Sequence, residues 1–136
     1  MKEIHIYTDG GARGNPGKAG AGVVIREDGK NITEFGKYLG DNLTNNYAEY
    51  EALILALHEA KKRKLMERAI EVRMDSELIV KQMRGEYKVK DAGLRVQNAQ
   101  VHKLLENFKE VRFVHIPREE NAEADALVNE AIDETM

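Results

Sequence analysis

Four acidic residues in this chain sit where folding alone does not call for an acid. Asp9 follows the alternating stretch "EIHIYT" and precedes two glycines; Asp-Gly is ordinary turn chemistry, so a turn is one reading of it. Glu49 lies in the helical pattern "NNYAEYEALILALHEAKKRK". On a wheel with Leu53 at zero, Glu49 falls at about −40°, inside the apolar sector of Tyr50, Ala56, Leu57 and Ala60, whereas Glu51 falls opposite, on the solvated face. A capping box with Asn46 is the alternative reading for Glu49. Asp75 closes the strand "AIEVRMD"; it could cap the next helix, but Ser76 could do so equally well. Asp125 lies at the border of the apolar face of the last helix, one turn from Val128 and two from Ile132, where a plain surface acid would also be at home. Clustered carboxylates raise one another's pKa unless a cation compensates. An oxygen-only set suits Mg²⁺ or Mn²⁺, and two such ions about 3.5–4 Å apart can stabilise the attacking and leaving oxygens of a phosphodiester cleavage.

Such a cluster needs elements that bring distant segments together. "KEIHIYTDG" alternates as a strand, with Ile4, Ile6 and Thr8 on one side and His5, Tyr7 and Asp9 on the other. The glycine-rich stretch "GGARGNPGKAG" reads as a loop, and "AGVVIRED" and "ITEFGKYL" as two further strands around Asp28-Gly29. Then come a helix over 45–64, a strand over 69–76, helices over 76–86 and 93–108, a strand over 111–117 and a helix over 121–134. The order β-β-β-α-β-α-α-β-α predicts an α/β fold: a mixed five-stranded sheet, three strands antiparallel and the rest parallel, with helices on its faces. If the first and fourth strands are neighbours, Asp9 and Asp75 meet at the carboxyl edge of the sheet, where open α/β sheets place their sites.

Bulk composition narrows the classes. The 136 residues suggest one domain over 1–136. With no cysteine, no disulfide, zinc-thiolate site or cysteine nucleophile is available. The first residues do not read as a signal peptide and no stretch is long and apolar enough for a membrane helix, so a cytoplasmic location is expected. A net charge of −3 argues against coating nucleic acid by bulk charge, not against local phosphate contacts. Basic clusters at "KKRK" and "MRGEYKVK" read as helix ends favoured by the helix dipole, or, for the second, as a phosphate contact.

The glycine-rich stretch fails as a nucleotide loop: Ala12 stands at the first glycine of a Walker A pattern, and Gly17-Lys18 is followed by Ala19. Glycine there would instead permit close backbone approach to a ligand. "TNN" (44–46) places a hydroxyl and two amides at a helix start, suited to phosphate or sugar; one of the three can serve as the N-cap.

The segments "YTDGGARGNPGKAGAGVVI", "TNNYAEYEAL", "MDSELIVKQM" and "REENAEADALVNEA" resemble, in order and across the whole chain, the four signature segments of ribonuclease H type 1. The resemblance implies the ribonuclease H-like fold and cleavage of the RNA strand of RNA/DNA hybrids, leaving 5′-phosphate and 3′-hydroxyl ends, with the 2′-hydroxyl as the mark of RNA. It makes Asp9, Glu49, Asp75 and Asp125 the catalytic carboxylates that hold two Mg²⁺ or Mn²⁺ ions. It offers Gly10, Gly11, Asn15, Asn45 and Asn46 as contacts to the sugar edges of the hybrid, Thr44 as a contact to a DNA-strand phosphate, and Ser76 as a further substrate contact.

The chain departs from the family in two places. Many members carry a histidine in a glycine-containing loop before the last acid. Here the stretch is "HIPREEN"; His115 falls inside a strand by alternation and reads as structural, and Arg118 is the stand-in. The long basic, tryptophan-bearing handle is also missing; "GEYKVKDAGL" is a short substitute, with Lys88 and Lys90 as phosphate contacts. Without the handle or a preceding hybrid-binding domain, substrate binding is expected to be weak or strongly salt-sensitive. The expected partner is an RNA/DNA hybrid and the expected state a monomer. Two rivals are a non-catalytic hybrid- or double-stranded-RNA-binding module of the same fold and a relative acting on DNA.

Overall fold

The computed structural model describes residues 2–136. Five strands form one mixed sheet in the order β3-β2-β1-β4-β5. β1 (Ile4–Arg13), β2 (Gly17–Glu27) and β3 (Lys30–Leu43) form an antiparallel meander; β4 (Ala69–Met74) pairs parallel with β1, and β5 (Glu110–His115) parallel with β4. The helices are α1 (Asn45–Lys62), α2 (Glu77–Met83), α3 (Ala92–Leu105) and α4 (Ala122–Asp133), the last entered through a 3₁₀ turn, Arg118–Asn121. The element order and mixed pairing expected from the sequence are both present.

The main core lies between the sheet and α1, α2 and α3. Ile4, Ile6, Val23, Ile25, Ile70, Val72 and Met74 supply the sheet side, and Tyr50, Leu53, Leu57, Ile79, Val80 and Val101 the helix side. Polar ties lock the helices together: the Tyr50 hydroxyl donates to Gln82 Oε1 (2.7 Å), and Gln97 Nε2 donates to the Tyr47 carbonyl and to Glu51 (3.0 Å each). Glu51 therefore is half-buried and engaged rather than simply solvated.

The glycine-rich stretch is not a loop. β1 runs on through Arg13 and β2 begins at Gly17, so only the turn around Gly14 (φ 79°), Asn15 and Pro16 separates them. The physical reason lies in the helices. A Cβ at Gly10 would stand 2.2 Å from the Ala48 carbonyl oxygen of α1, and one at Gly22 would stand 2.2 Å from the Ala124 oxygen of α4. At Gly36 the same atom would stand 2.5 Å from the Leu127 oxygen. These glycines are strand residues that let a helix backbone lie on the sheet, rather than a cradle for a ligand.

Two further expectations change. Asp9 neither makes a turn nor closes a strand; it sits inside β1, opposite Gly22. It is at the end of the parallel part of the sheet only because β4 stops at Met74, level with Thr8. α4 starts at Ala122 after the 3₁₀ turn, so residue 121 is its cap rather than its first turn.

Gly22→Ala is expected to destabilise the protein by about 1–3 kcal/mol, because α4 must lift from β2 to admit the methyl group. Gly11→Ala, whose Cβ would meet nothing nearer than 3.9 Å, is expected to melt close to wild type. Thermal unfolding of the two variants checks the pair.

Candidate active site

The carboxyl edge of the β1–β4 pair opens into a cleft of about 510 Å³, lined among others by Asp9, Glu49, Asp75, Asp125, Ser76 and Arg118. Four elements deliver the four acids. β1 carries Asp9; α1 carries Glu49 on its inward face; Asp75 follows β4; α4 carries Asp125 one turn after its start. Carboxylate oxygens of Asp9, Glu49 and Asp75 lie within 4.8 Å of one another. Asp125 lines the same cleft, and its carboxyl helps to raise that of Asp9.

Glu49 is only 7% exposed and does not form the capping box. Thr44 caps α1, its hydroxyl accepting from the Tyr47 N–H. Glu49 Oε1 instead accepts from the Gly10 N–H at 2.8 Å. Ser76 caps α2, accepting from the Ile79 N–H, which leaves Asp75 free of that duty.

The electrostatics follow from this crowding. Burial drives the Asp9 carboxyl up to about 8; the charge of Asp75 and the hydrogen bond and charge of Asp125 add to it, and the Gly10 N–H opposes it. Burial also raises Glu49, with Asp9 and Asp75 adding and Gly10 and Arg118 opposing. Asp75 is raised by burial as well, with Arg118 the main opposing charge. Acids held in this state gain most from a cation. The set is all oxygen, with hard carboxylate donors and, among the described residues, no thiolate, so it fits a Mg²⁺- or Mn²⁺-type ion.

Gly10, Gly11 and Asn45 line the acid cleft. Asn45 Oδ1 accepts from the Ala12 N–H (2.8 Å) and its own N–H donates to Asn15 Oδ1 (3.1 Å), tying the β1–β2 turn to the start of α1. Asn15, Thr44 and Asn46 line a separate recess with Tyr47 and Asp91. Lys88 and Lys90 lie farther off, in a shallow groove with Leu78, Tyr87 and Leu94. Arg118 is exposed and faces Glu49 and Asp75. His115 is not a core residue: it is at the exposed end of β5, level with Met74, and its charge reaches Asp75. Arg13, Asn121 and Asn129 were not singled out from the sequence. Arg13 and Asn129 line the cleft, and Asn121 is buried directly behind Asp9. The Asn-x₃-Asp-x₃-Asn spacing was the available signal.

A family model described as "Reverse transcriptase-like" matches residues 7–131. LC11-RNase H1, solved in complex with an RNA/DNA hybrid, superposes with a TM-score of 0.93 at 54% identity, covering 97% of this chain and 98% of that one. The chain belongs to the ribonuclease H type 1 family. Ribonuclease HI of Halobacterium salinarum is 42% identical over 96% of this chain and 65% of its own length. A bifunctional protein of Mycobacterium tuberculosis is 40% identical over 96% of this chain and 36% of its own length. The chain thus spans just under two thirds of the first of these curated relatives and about a third of the second. The family's mixed five-stranded sheet is the fold seen here.

In the metal-free protein, Asp9 stays protonated in the folded state up to about pH 8 but ionises from its usual 3.8 when unfolded. Its contribution to stability is therefore fully present below about pH 4 and is lost as pH rises through about 8. Asp9→Asn is expected to melt with wild type near pH 4 and several degrees higher at pH 8.5, on the order of 1–3 kcal/mol more stable. Melting curves in a chelator across that range check it.

Proposed function

We propose that this ribonuclease H family member is an endoribonuclease that hydrolyses the RNA strand of RNA/DNA hybrids, leaving 5′-phosphate and 3′-hydroxyl ends. The observation that carries the reading is the convergence of four acids in one open cleft, two of them buried. A 54%-identical relative bound to such a hybrid supports the substrate class.

Asp9, Glu49, Asp75 and Asp125 would hold two divalent ions, Mg²⁺ or Mn²⁺. When bound, such ions lower the pKa of water and neutralise charge on the departing 3′-oxygen. The chain's own residues do the rest. Glu49 is aimed by the Gly10 N–H, so the peptide that follows Asp9 fixes the acid of a different element. Gly11, where a Cβ would meet nothing nearer than 3.9 Å, leaves room for a sugar to approach β1 beside the Gly10 backbone, and Asn45 reaches it from α1. Asn46, Thr44 and Ser76 extend the surface along the helix starts, where N–H groups favour phosphate, and Asn15 adds to it from the β1–β2 turn. Lys88 and Lys90 would meet phosphates of the hybrid farther along. Arg118 stands where a cation can steady the scissile phosphate or the leaving group. The chain would act as one catalytic domain over 1–136, as a cytoplasmic monomer; no helix among the described residues is long and apolar enough to cross a membrane.

With a hybrid duplex and Mg²⁺ or Mn²⁺, cleavage is expected only of the RNA strand, and a chelator stops it. Asp9→Asn is expected to lower kcat on the order of 10³-fold or more while the fold is retained. Arg118→Ala is expected to lower it about tenfold to a hundredfold. Binding of hybrid or double-stranded RNA without metal-dependent cleavage would instead make the chain a binding module. Cleavage of a DNA duplex in the same panel would make it a DNA-acting relative.

A further inference from the structure

Asp125 lies on α4 between two asparagines, four residues before it and four after it. On a helix that spacing puts Asn121, Asp125 and Asn129 along one face. Each asparagine is tied to β1, on either side of Asp9. Asn121 is 1% exposed, and its Nδ2 donates to the Thr8 carbonyl at 2.9 Å, one residue before Asp9. At the other end, Arg13 Nη2 donates to Asn129 Oδ1 (3.2 Å) and to its carbonyl (3.3 Å), and Arg13 Nη1 pairs with Asp133 (2.7 Å). Asn129 Nδ2 in turn donates to the Asp125 carbonyl (3.1 Å).

Asn121 is an uneconomical choice for a merely structural position. Its Oδ1 is buried without a partner, and its side chain does not cap α4. An apolar residue of the same volume would avoid the unpaired acceptor. What the amide provides is one directed bond to the backbone beside Asp9. Meanwhile Asp9 and Asp125 repel when both are charged, and β1 and α4 are joined covalently only through the long path across the rest of the chain.

We propose that Asn121, with the Arg13–Asn129 pair at the far end, forms a two-ended clamp that sets the separation of Asp9 and Asp125 for divalent-ion binding. These are positioning residues, not ligands. The inference rests on the metal-site reading above. The buried end carries more of the effect, because the Arg13–Asp133 pair is exposed to solvent and screened by salt.

The test is calorimetric titration of Mn²⁺ into the free protein, with no nucleic acid present. Asn121→Leu keeps the volume, so it is expected to fold and melt near wild type, yet to bind Mn²⁺ about tenfold more weakly. Arg13→Gln is expected to bind about threefold more weakly. In cleavage assays both variants should need correspondingly more Mg²⁺ for half-maximal rate, with little change in KM for the hybrid at saturating metal. Wild-type Mn²⁺ affinity in Asn121→Leu overturns the clamp. So does an Arg13→Gln variant that raises only KM, which would make Arg13 a substrate contact. If Asn121→Leu does not fold, Asn121 is a structural residue; Arg13→Gln and Asn129→Ala then decide alone, wild-type affinity in both overturning the proposal. Failure of the underlying reading looks different: wild type itself would neither bind Mn²⁺ in the cleft nor cut the hybrid.

Discussion

A carboxylate taken out of water beside other carboxylates takes up a proton or moves away, and a backbone packed tightly around it removes the second option. Here the peptide after Asp9 imposes that constraint. Gly10 lacks a Cβ, so the Ala48 carbonyl of α1 can lie against β1 where any side chain would collide. The same residue's N–H then donates to Glu49 Oε1 of the incoming helix. One glycine thus sets both the helix-to-strand distance and the aim of the acid, and two of the four carboxylates are held side by side as a consequence. The raised acids follow from this packing; they are the electrostatic strain that a divalent cation would relieve.

The two faces of the sheet solve different problems. Under α1, α2 and α3 the strands present large aliphatic side chains, and burial of that area supplies most of the driving force. Under α4 they present Gly20, Gly22 and Gly36, so that helix lies close and its position is defined by backbone contact rather than by a deformable layer of side chains. A helix that must deliver Asp125 to the acids of β1 and β4 benefits from that rigidity. Beyond the reach of α4, the sheet carries a lattice of opposite charges in which Arg112 bridges Glu3 and Glu71, and Arg73 pairs with Glu71. The three acid and histidine ligands that converge there, Glu3, His5 and Glu71, are thereby already matched by arginine. That distinguishes them from the cleft, where Arg118 opposes the raised Glu49 and Asp75 but burial outweighs it.

Periodicity and residue chemistry made the element order, the mixed sheet and the inward face of Glu49 legible in the sequence, and the resemblance pointed to the same four acids. What could be read from each acid's local context was less reliable. Asp9 looked like the end of a strand because glycines followed it, and Glu49 looked like a capping partner because Asn46 preceded it by three. Both local rules lost to contacts made by residues distant in the chain: Gly22 and Ala48 in the first case, Gly10 in the second. His115 lies in β5, as alternation implied, but alternation does not say that a strand's last residue is left exposed.

The amino-acid sequence by itself determined which residues could hold a hard cation and in which order the elements that carry them follow, because side-chain chemistry and the 2.0 and 3.6 residue periods are local properties. Only the tertiary structure decided that the glycines serve helix packing, that Asp9 and Glu49 share a buried corner, and that Asn121, Arg13 and Asn129 tie α4 to β1. Those facts depend on distances between segments up to 116 residues apart, which no local pattern encodes.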